Sequence, residues 1–219
     1  MEQYFPLLLK SPLFSGIDEA GLRGLMGCLS ARSQTYAKGE PVFLEGDPAG
    51  FVGFVLEGAV QIVQDDFYGN RSLLMLAQAG EPFGEVFACA GVEQIPVSGY
   101  ALSECRVLWL ACKKMLTVCT NACGFHNTLV QNLLQLVSQK SLHLSRKIRF
   151  MSEKTTQDKL MAYLLDQAKE QGAAEFTIPL DRQGLADFLG VERSAMSAEL
   201  SKLRAKGVLQ TEGSRFHLL

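Results

Sequence analysis

Ile178-Pro179-Leu180-Asp181-Arg182-Gln183-Gly184-Leu185-Ala186-Asp187-Phe188-Leu189-Gly190-Val191-Glu192-Arg193-Ser194-Ala195-Met196-Ser197-Ala198-Glu199-Leu200-Ser201-Lys202-Leu203-Arg204-Ala205-Lys206-Gly207 is the stretch that decides how the chain is read. Asp181 carries the short acceptor side chain that caps a helix N-terminus. Leu185, Ala186 and Leu189 give the following helix a buried face, and the small Ala186 lets a second helix approach closely. Gly190 supplies the left-handed residue that ends the first helix. A second helix, starting near Glu192, buries Met196, Leu200 and Leu203 at i, i+4 and i+7 and ends at Gly207. Its other face carries Arg193, Ser194, Ser197 and Lys202. Val208-Leu209-Gln210 and Phe216-His217-Leu218 read as a two-stranded wing. Polar side chains on the first turns of such a second helix reach base edges in the major groove, and an arginine there pairs bidentately with guanine. The packing pattern alone also suits winged helices that contact protein.

Upstream, Met151–Thr156 breaks the periodicity, and Ser152, Thr155 and Thr156 can cap a new helix. That helix is predicted over 156–170, with Leu160, Met161, Leu164 and Leu165 facing inward, and a domain boundary falls just before it. From about 112 to 150 the pattern is helical and long. Val130, Val137 and Leu144 recur every seven residues, and Leu129, Leu133, Leu134, Leu136 and Ile148 widen the apolar stripe. Two packings satisfy this stripe: a coiled-coil-like dimer seam, which is the sharper reading, or a helix lying wholly on its own domain.

Residues 33 to about 110 change style. Val42-Phe43-Leu44, Phe51–Leu56, Val60–Val63, Leu73–Leu76 and Val107–Leu110 are short strands. The turns between them are Lys38-Gly39-Glu40, Glu45-Gly46-Asp47-Pro48, Glu57-Gly58, Tyr68-Gly69-Asn70 and Ala79-Gly80-Glu81-Pro82. Evenly spaced short strands predict a barrel or jelly roll rather than a parallel sheet. Residues 1–32 read as helical, with Leu22, Leu25, Met26 and Leu29 at helical spacing.

The 219 residues are 47% hydrophobic and 20% charged, ordinary for a globular chain of one or two domains. The net charge of −2 conceals a polarity: residues 1–145 hold 9 Lys+Arg against 13 Asp+Glu, and residues 146–219 hold 12 against 10. An acidic sensor half joined to a mildly basic half fits phosphate contact by the latter. No apolar run reaches the roughly 18 residues that span a bilayer. The N-terminus shows no signal-peptide pattern. A cytoplasmic location is therefore expected, with six reduced cysteines rather than a disulfide framework.

With these residues in view, nearly the whole chain resembles the cyclic-AMP receptor protein / fumarate-nitrate regulator (CRP/FNR) family of bacterial transcription regulators. The resemblance rests on the Lys38-Gly39-Glu40 and Glu45-Gly46-Asp47 turns, Leu56-Glu57-Gly58, and Gly80-Glu81-Pro82-Phe83-Gly84-Glu85. It also rests on Thr156-Gln157-Asp158-Lys159-Leu160 and on Arg182-Gln183, Leu189-Gly190-Val191 and Arg193-Ser194. It implies an α+β protein: a cyclic-nucleotide-binding-like β-roll, or double-stranded jelly roll, over 1–118, a dimerisation helix over 119–151, and a winged helix-turn-helix over 152–219. It implies a homodimer that binds a pseudo-palindromic operator in double-stranded DNA and acts on RNA polymerase, with no catalysis. Arg182 and Gln183 lie where members touch phosphate; Arg193, Ser194 and Ser197 lie where they read bases, and Lys202 is a further candidate on that face. Many members carry an acidic residue at the position of Ser194 and an arginine at that of Ala198, so the usual half-site does not transfer.

The resemblance also implies an effector site in the roll at Gly84, Glu85 and Val86, with Ser145 on the long helix near the inter-subunit contact. Cyclic-nucleotide members follow this motif with an arginine that neutralises the phosphate. The matching place here reads Gln94-Ile95-Pro96-Val97-Ser98, and no arginine lies between Arg71 and Arg106. The expected effector is therefore a small molecule other than cyclic AMP, and the sequence names neither it nor a cofactor. Cys28 stands alone near the N-terminus, which does not support a four-cysteine iron–sulfur cluster. Cys119 and Cys123, with His126 beyond them, are spaced for one metal or a thiol sensor if helical; buried small hydrophobes and a capping histidine are the simpler reading. Nothing specific points to haem at His126 or His143. Cys89, Cys105 and Cys112 are expected to pack the roll. The competing functional reading is a cyclic-nucleotide-binding module whose winged helix contacts protein. No catalytic motif stands out.

Overall fold

The computed structural model describes residues 1–65, 67–68, 71–117 and 124–219. The described chain forms two compact units, Met1–Ser138 and Gln139–Leu219. In the first, α1 (Phe5–Leu8) and α2 (Glu19–Cys28) precede eight strands: β1 (Arg32–Tyr36), β2 (Pro41–Phe43), β3 (Phe51–Glu57), β4 (Ala59–Asp65), β5 (Arg71–Gln78), β6 (Pro82–Phe83), β7 (Ser98–Ala101) and β8 (Cys105–Ala111). Helix α3 (Glu85–Ala90) lies between β6 and β7, and α4 (Cys112–Leu116) follows β8. The strands pair antiparallel into two four-stranded sheets, ordered β1-β8-β3-β6 and β2-β7-β4-β5.

Strand β3 explains how these layers stack. Its apolar run is buried on both faces, because each alternate set of side chains meets a different core. Val52, Phe54 and Leu56 join Leu108 and Leu110 of β8 and the helical residues Leu22, Leu25, Met115, Leu129 and Leu133. Val55 and Val107 point the other way, into the roll, with Phe43, Val60, Ile62, Phe83 and Ile95. Two glycines make room for phenyl rings: a Cβ on Gly53 would lie 2.2 Å from the Phe83 ring, and one on Gly99 2.3 Å from the Phe43 ring. The α+β architecture and the β-roll expected from the sequence are both present.

Several elements differ from the sequence expectation. Strands β1, β6 and β7 carry no apolar alternation that marks them; β1 is polar and becomes a strand by pairing along β8, from Arg32↔Trp109 to Tyr36↔Cys105. Residues 1–32 are not one helix: Pro6 and Pro12 break them into short turns before Asp18 caps α2, its Oδ1 accepting from the Gly21 N–H at 2.7 Å. The helix expected from 112 to 150 is interrupted. Thr117 is extended after α4, and the long helix α5 is Gly124–Met151. Gly69, Asn70, Cys119 and Cys123 lie outside the described residues.

The second unit holds the end of α5 with α6 (Thr156–Gln171), β9 (Glu175–Thr177), α7 (Arg182–Leu189), α8 (Arg193–Ala205), β10 (Leu209–Glu212) and β11 (Arg215–Leu218). Its core gathers Phe150, Leu160, Tyr163, Leu164, Phe176, Leu185, Ala186, Leu189, Met196, Leu200, Leu203 and Phe216. Leu165 is exposed, contrary to expectation, because it sits about 140° around α6 from Leu160; Tyr163 takes the inward place. The wing has three strands in the order β10-β11-β9, since Phe176 pairs with Phe216 and stacks on its ring at 6.0 Å.

Candidate nucleic-acid interface and effector pocket

Asp181 closes the first turn of α7, its Oδ1 accepting from the Gly184 N–H at 2.7 Å. Gly190, at φ 62° and ψ 48°, ends that helix, and its N–H returns to the Ala186 and Asp187 carbonyls. Removing the cap tests this local logic. Asp181→Ala should cost about 1 kcal/mol of stability, read as a shifted urea midpoint, and Asp181→Asn should recover most of it.

Helix α8 buries Met196, Leu200 and Leu203 at 0%, 4% and 2% exposure. This seating leaves Arg193, Ser194 and Ser197 exposed on its first turns, as expected from their spacing. The remaining predicted contacts carry internal ties. Lys202 pairs with Glu199 at 2.8 Å, one turn back. Gln183 Nε2 donates to Asp187 Oδ1 at 2.8 Å. Arg182 is half-buried: its Nη2 donates to Thr211 Oγ1 at 2.7 Å, and its guanidinium lies 5.0 Å from the centroid of the Phe216 ring. Burial, reinforced by the charge of nearby Arg204, holds its pKa below the usual arginine range. Arg182 thus braces α7 against the wing while its remaining N–H groups keep a positive edge there. Arg204 is a cation that the sequence reading did not single out. Its spacing from Arg193 and Ser197, eleven and seven residues, puts all three on one side of α8 and was the available signal. On the wing, Arg215 pairs with Glu175 across β11 and β9 at 2.6 Å.

In the first unit, Gly84 precedes α3 in the left-handed region, with φ 74°, as the turn into a short helix requires. Glu85 is buried at 1% exposure and Val86 is half exposed. Ser145 is exposed on α5. Ile95, at the place that would need a cation for a phosphate, is 8% exposed and belongs to the apolar interior of the roll. Beside it Phe83 stacks on Phe43 at 5.9 Å and meets Trp109 edge-on at 5.5 Å. A bound cyclic-nucleotide phosphate would face hydrocarbon here, so this donor set does not fit that ligand. A cavity of about 430 Å³ opens on the same aromatic cluster, lined among others by Arg32, Tyr36, Glu40, Phe43, Ile95 and Trp109. Gly84, Glu85 and Val86 do not line it. The chain's one tryptophan, Trp109, set between Leu108 and Leu110 in an apolar run, was the sequence signal nearest this cavity. His126 is buried, with Nε2 3.2 Å from the Lys114 carbonyl oxygen. No cluster of metal-ligating side chains occurs among the described residues.

Comparison with known proteins agrees with this division. A cyclic nucleotide-binding domain matches residues 33–121, and a Crp-like helix-turn-helix domain matches residues 158–219. The chain is 26% identical to the nitrogen fixation regulation protein FixK of Azorhizobium caulinodans, over 84% of this chain and 73% of that protein. It is 24% identical to the transcriptional activator protein anr of Pseudomonas aeruginosa, over 86% and 77%. Among solved structures, CprK complexed with OCPA is similar in fold, with a TM-score of 0.65, 18% identity, and coverage of 90% of this chain and 88% of that one. So is the c-di-GMP responsive global regulator CLP of Xanthomonas campestris, with a TM-score of 0.55, 23% identity, and coverage of 90% and 98%. Between them, the two matched domains take in both the β-roll and the winged helix-turn-helix, and the chain belongs to the CRP/FNR family of transcription regulators.

Proposed function

We propose that this chain is a homodimeric, sequence-specific DNA-binding regulator whose α8 helices read two half-sites of a pseudo-palindromic operator. The observation that carries this reading is the seating of α8. Its apolar face is fully spent on the core, and Arg193, Ser194 and Ser197 are left exposed together on its first turns. Such a helix offers base-reading groups at its N-terminal end and has no apolar face left to bind a protein groove, which disfavours the protein-binding alternative. Arg182, Gln183 and Lys202 supply the phosphate-facing edge. With Ala198 in place of an arginine, that position offers only apolar contact, such as a thymine methyl.

The seam along α5 supports the dimer. Val130, Leu134, Val137, Ser141, Leu144, Ile148 and Met151 alternate four and three residues apart, the spacing of a coiled-coil core. Leu134, Leu144 and Ile148 are 68%, 57% and 57% exposed in the single chain, so each leaves water when a second copy covers this face. Two α8 helices related by a two-fold axis then meet successive major grooves about 34–36 Å apart. The signal enters the roll as a small effector other than cyclic AMP, at Gly84, Glu85 and Val86. The output is recruitment or blocking of RNA polymerase in the cytoplasm.

Selection of binding sequences from random duplexes tests the reading, and a selected pool without a symmetric motif would overturn it. Within the selected site, Arg193→Ala should weaken binding by about 1–3 kcal/mol and relax preference at one base pair. A uniform loss on all sequences, with a shallower salt dependence, would make Arg193 a phosphate contact instead.

A further inference from the structure

Cys89 and Cys112 are 23 residues apart in the chain, yet their sulfur atoms lie 3.9 Å apart. Both are free thiols. Cys89 occupies the last turn of α3 and is half-buried; Cys112 opens α4 and is 2% exposed. Both belong to the helix-side core rather than the roll interior, where the sequence reading had placed them. A disulfide needs its sulfurs about 2.05 Å apart, so forming one requires the two side chains to bring their sulfurs closer than the present 3.9 Å. The two thiols share a hydrogen bond, which lowers the pKa of Cys89 and, with burial, raises that of Cys112. Cys89 is the more reachable of the two sulfurs, and the buried Cys112 thiol stands behind it. This is the order in which an attacking and a resolving cysteine work. Cys105 is the contrast: it is buried in the roll, burial raises its pKa, and it has no sulfur neighbour among the described residues.

We propose that Cys89 and Cys112 form a reversible dithiol–disulfide site oxidised by hydroperoxides. The Cys89 thiolate attacks the peroxide oxygen. The O–O bond breaks, the leaving alkoxide or hydroxide takes a proton, and Cys89 becomes a sulfenic acid. Cys112 then attacks the Cys89 sulfur, an S–S bond forms, the S–OH bond breaks, and water carries away the oxygen with the Cys112 proton. The two thiols lose two electrons and the peroxide gains them. The bond fastens the end of α3 to the first residue of α4, whose N–H is held by the Gly50 carbonyl at 3.0 Å. Because α3 begins at Gly84-Glu85, the bond pins the candidate effector cradle from behind. Its effect on DNA affinity rests on the regulator reading above.

The test uses the full-length chain with Cys119 and Cys123 changed to serine, reduced, desalted and exposed to hydrogen peroxide. The expected result is loss of two thiols, a mass decrease of two hydrogens, one cross-linked peptide pair joining Cys89 to Cys112, and full recovery with dithiothreitol. Cys89→Ser should abolish the cross-link. Cys112→Ser, or Cys112→Ala if the serine does not fold, should leave a sulfenic acid on Cys89 that dimedone traps. A cross-link through Cys28 or Cys105, Cys89 driven to sulfinic acid without cross-linking, or thiols that survive unchanged would overturn the site. Operator affinity should differ between the oxidised and reduced forms by at least about fivefold, the low end of ordinary coupling. Equal affinities with the disulfide in place would overturn the switch. Absence of DNA binding in both forms would overturn the regulator reading and the switch together, leaving the site itself to the mass measurement.

Discussion

Gly58→Ala should destabilise the β-roll by about 3 kcal/mol. Gly58 turns the chain from β3 into β4 at φ +74°, a conformation that costs a side-chain-bearing residue about 1–2 kcal/mol. The heavier cost is steric. A Cβ there would lie 2.3 Å from the Glu104 carbonyl oxygen and 2.8 Å from the Cys105 Cβ. Those atoms stand at the start of β8, which is paired on one side with β1 and on the other with β3, so the backbone has little room to yield. Overpacking of this kind costs about 1–3 kcal/mol more. Thermal unfolding should fall by roughly 6–12 °C for a chain of this size. Gly46→Ala is the control. Gly46 has an equally positive φ of +91° but open space around it, so only the backbone cost of about 1–2 kcal/mol applies. Equal losses at the two positions would show that the contact with Glu104 plays no part.

Leu144→Lys should dissociate the dimer. Leu144 lies centrally in the seam of α5, one turn from Ile148 and two from Val137, and is 57% exposed in the single chain. Two-fold symmetry would set the two introduced ammonium groups against each other in an apolar interface, with no partner for either. An uncompensated buried charge costs about 3–5 kcal/mol, equivalent to a dissociation constant raised by roughly two to four orders of magnitude. Sedimentation equilibrium reads this directly, and circular dichroism should stay unchanged because the side chain belongs to none of the three cores of its own chain. Operator affinity should fall with it, since a monomer engages one half-site. An unchanged dimer would move the interface off this face and return α5 to the second packing that its sequence allows.

How much of this was legible beforehand depended on the distance over which the information acts. The helix-turn-helix was legible residue by residue. Asp181, Gly190, Met196, Leu200 and Leu203 do their work through bonds and faces within four residues of themselves, and helical period exposes such relations in a linear string. The same holds for β3, β4 and β8, whose apolar runs and glycine turns are local signals. Strand β1 was not legible, because Arg32–Tyr36 is polar and owes its conformation to β8, about seventy residues away. The third strand of the wing was missed for the same reason, Phe176 being a strand residue only through Phe216. Leu165 is a failure of another kind: its place about 140° around α6 from Leu160 is a local relation that the helical period does expose.

The candidate sites divide along this line as well. The sequence by itself determined the family, the second helix of the helix-turn-helix with Arg193, Ser194 and Ser197 on its exposed side, and the absence of an arginine between Arg71 and Arg106. Each is a property of residue type and near spacing. Only the tertiary structure decided that Arg182 braces the wing, that Ile95 lies among the rings of Phe43, Phe83 and Trp109, and that the sulfurs of Cys89 and Cys112 approach each other. Periodicity reports which face of its own element a residue occupies. It carries nothing about which distant element will be packed against that face, because that is set by the paths of the connecting loops and by how two sheets and their helices fill a common core.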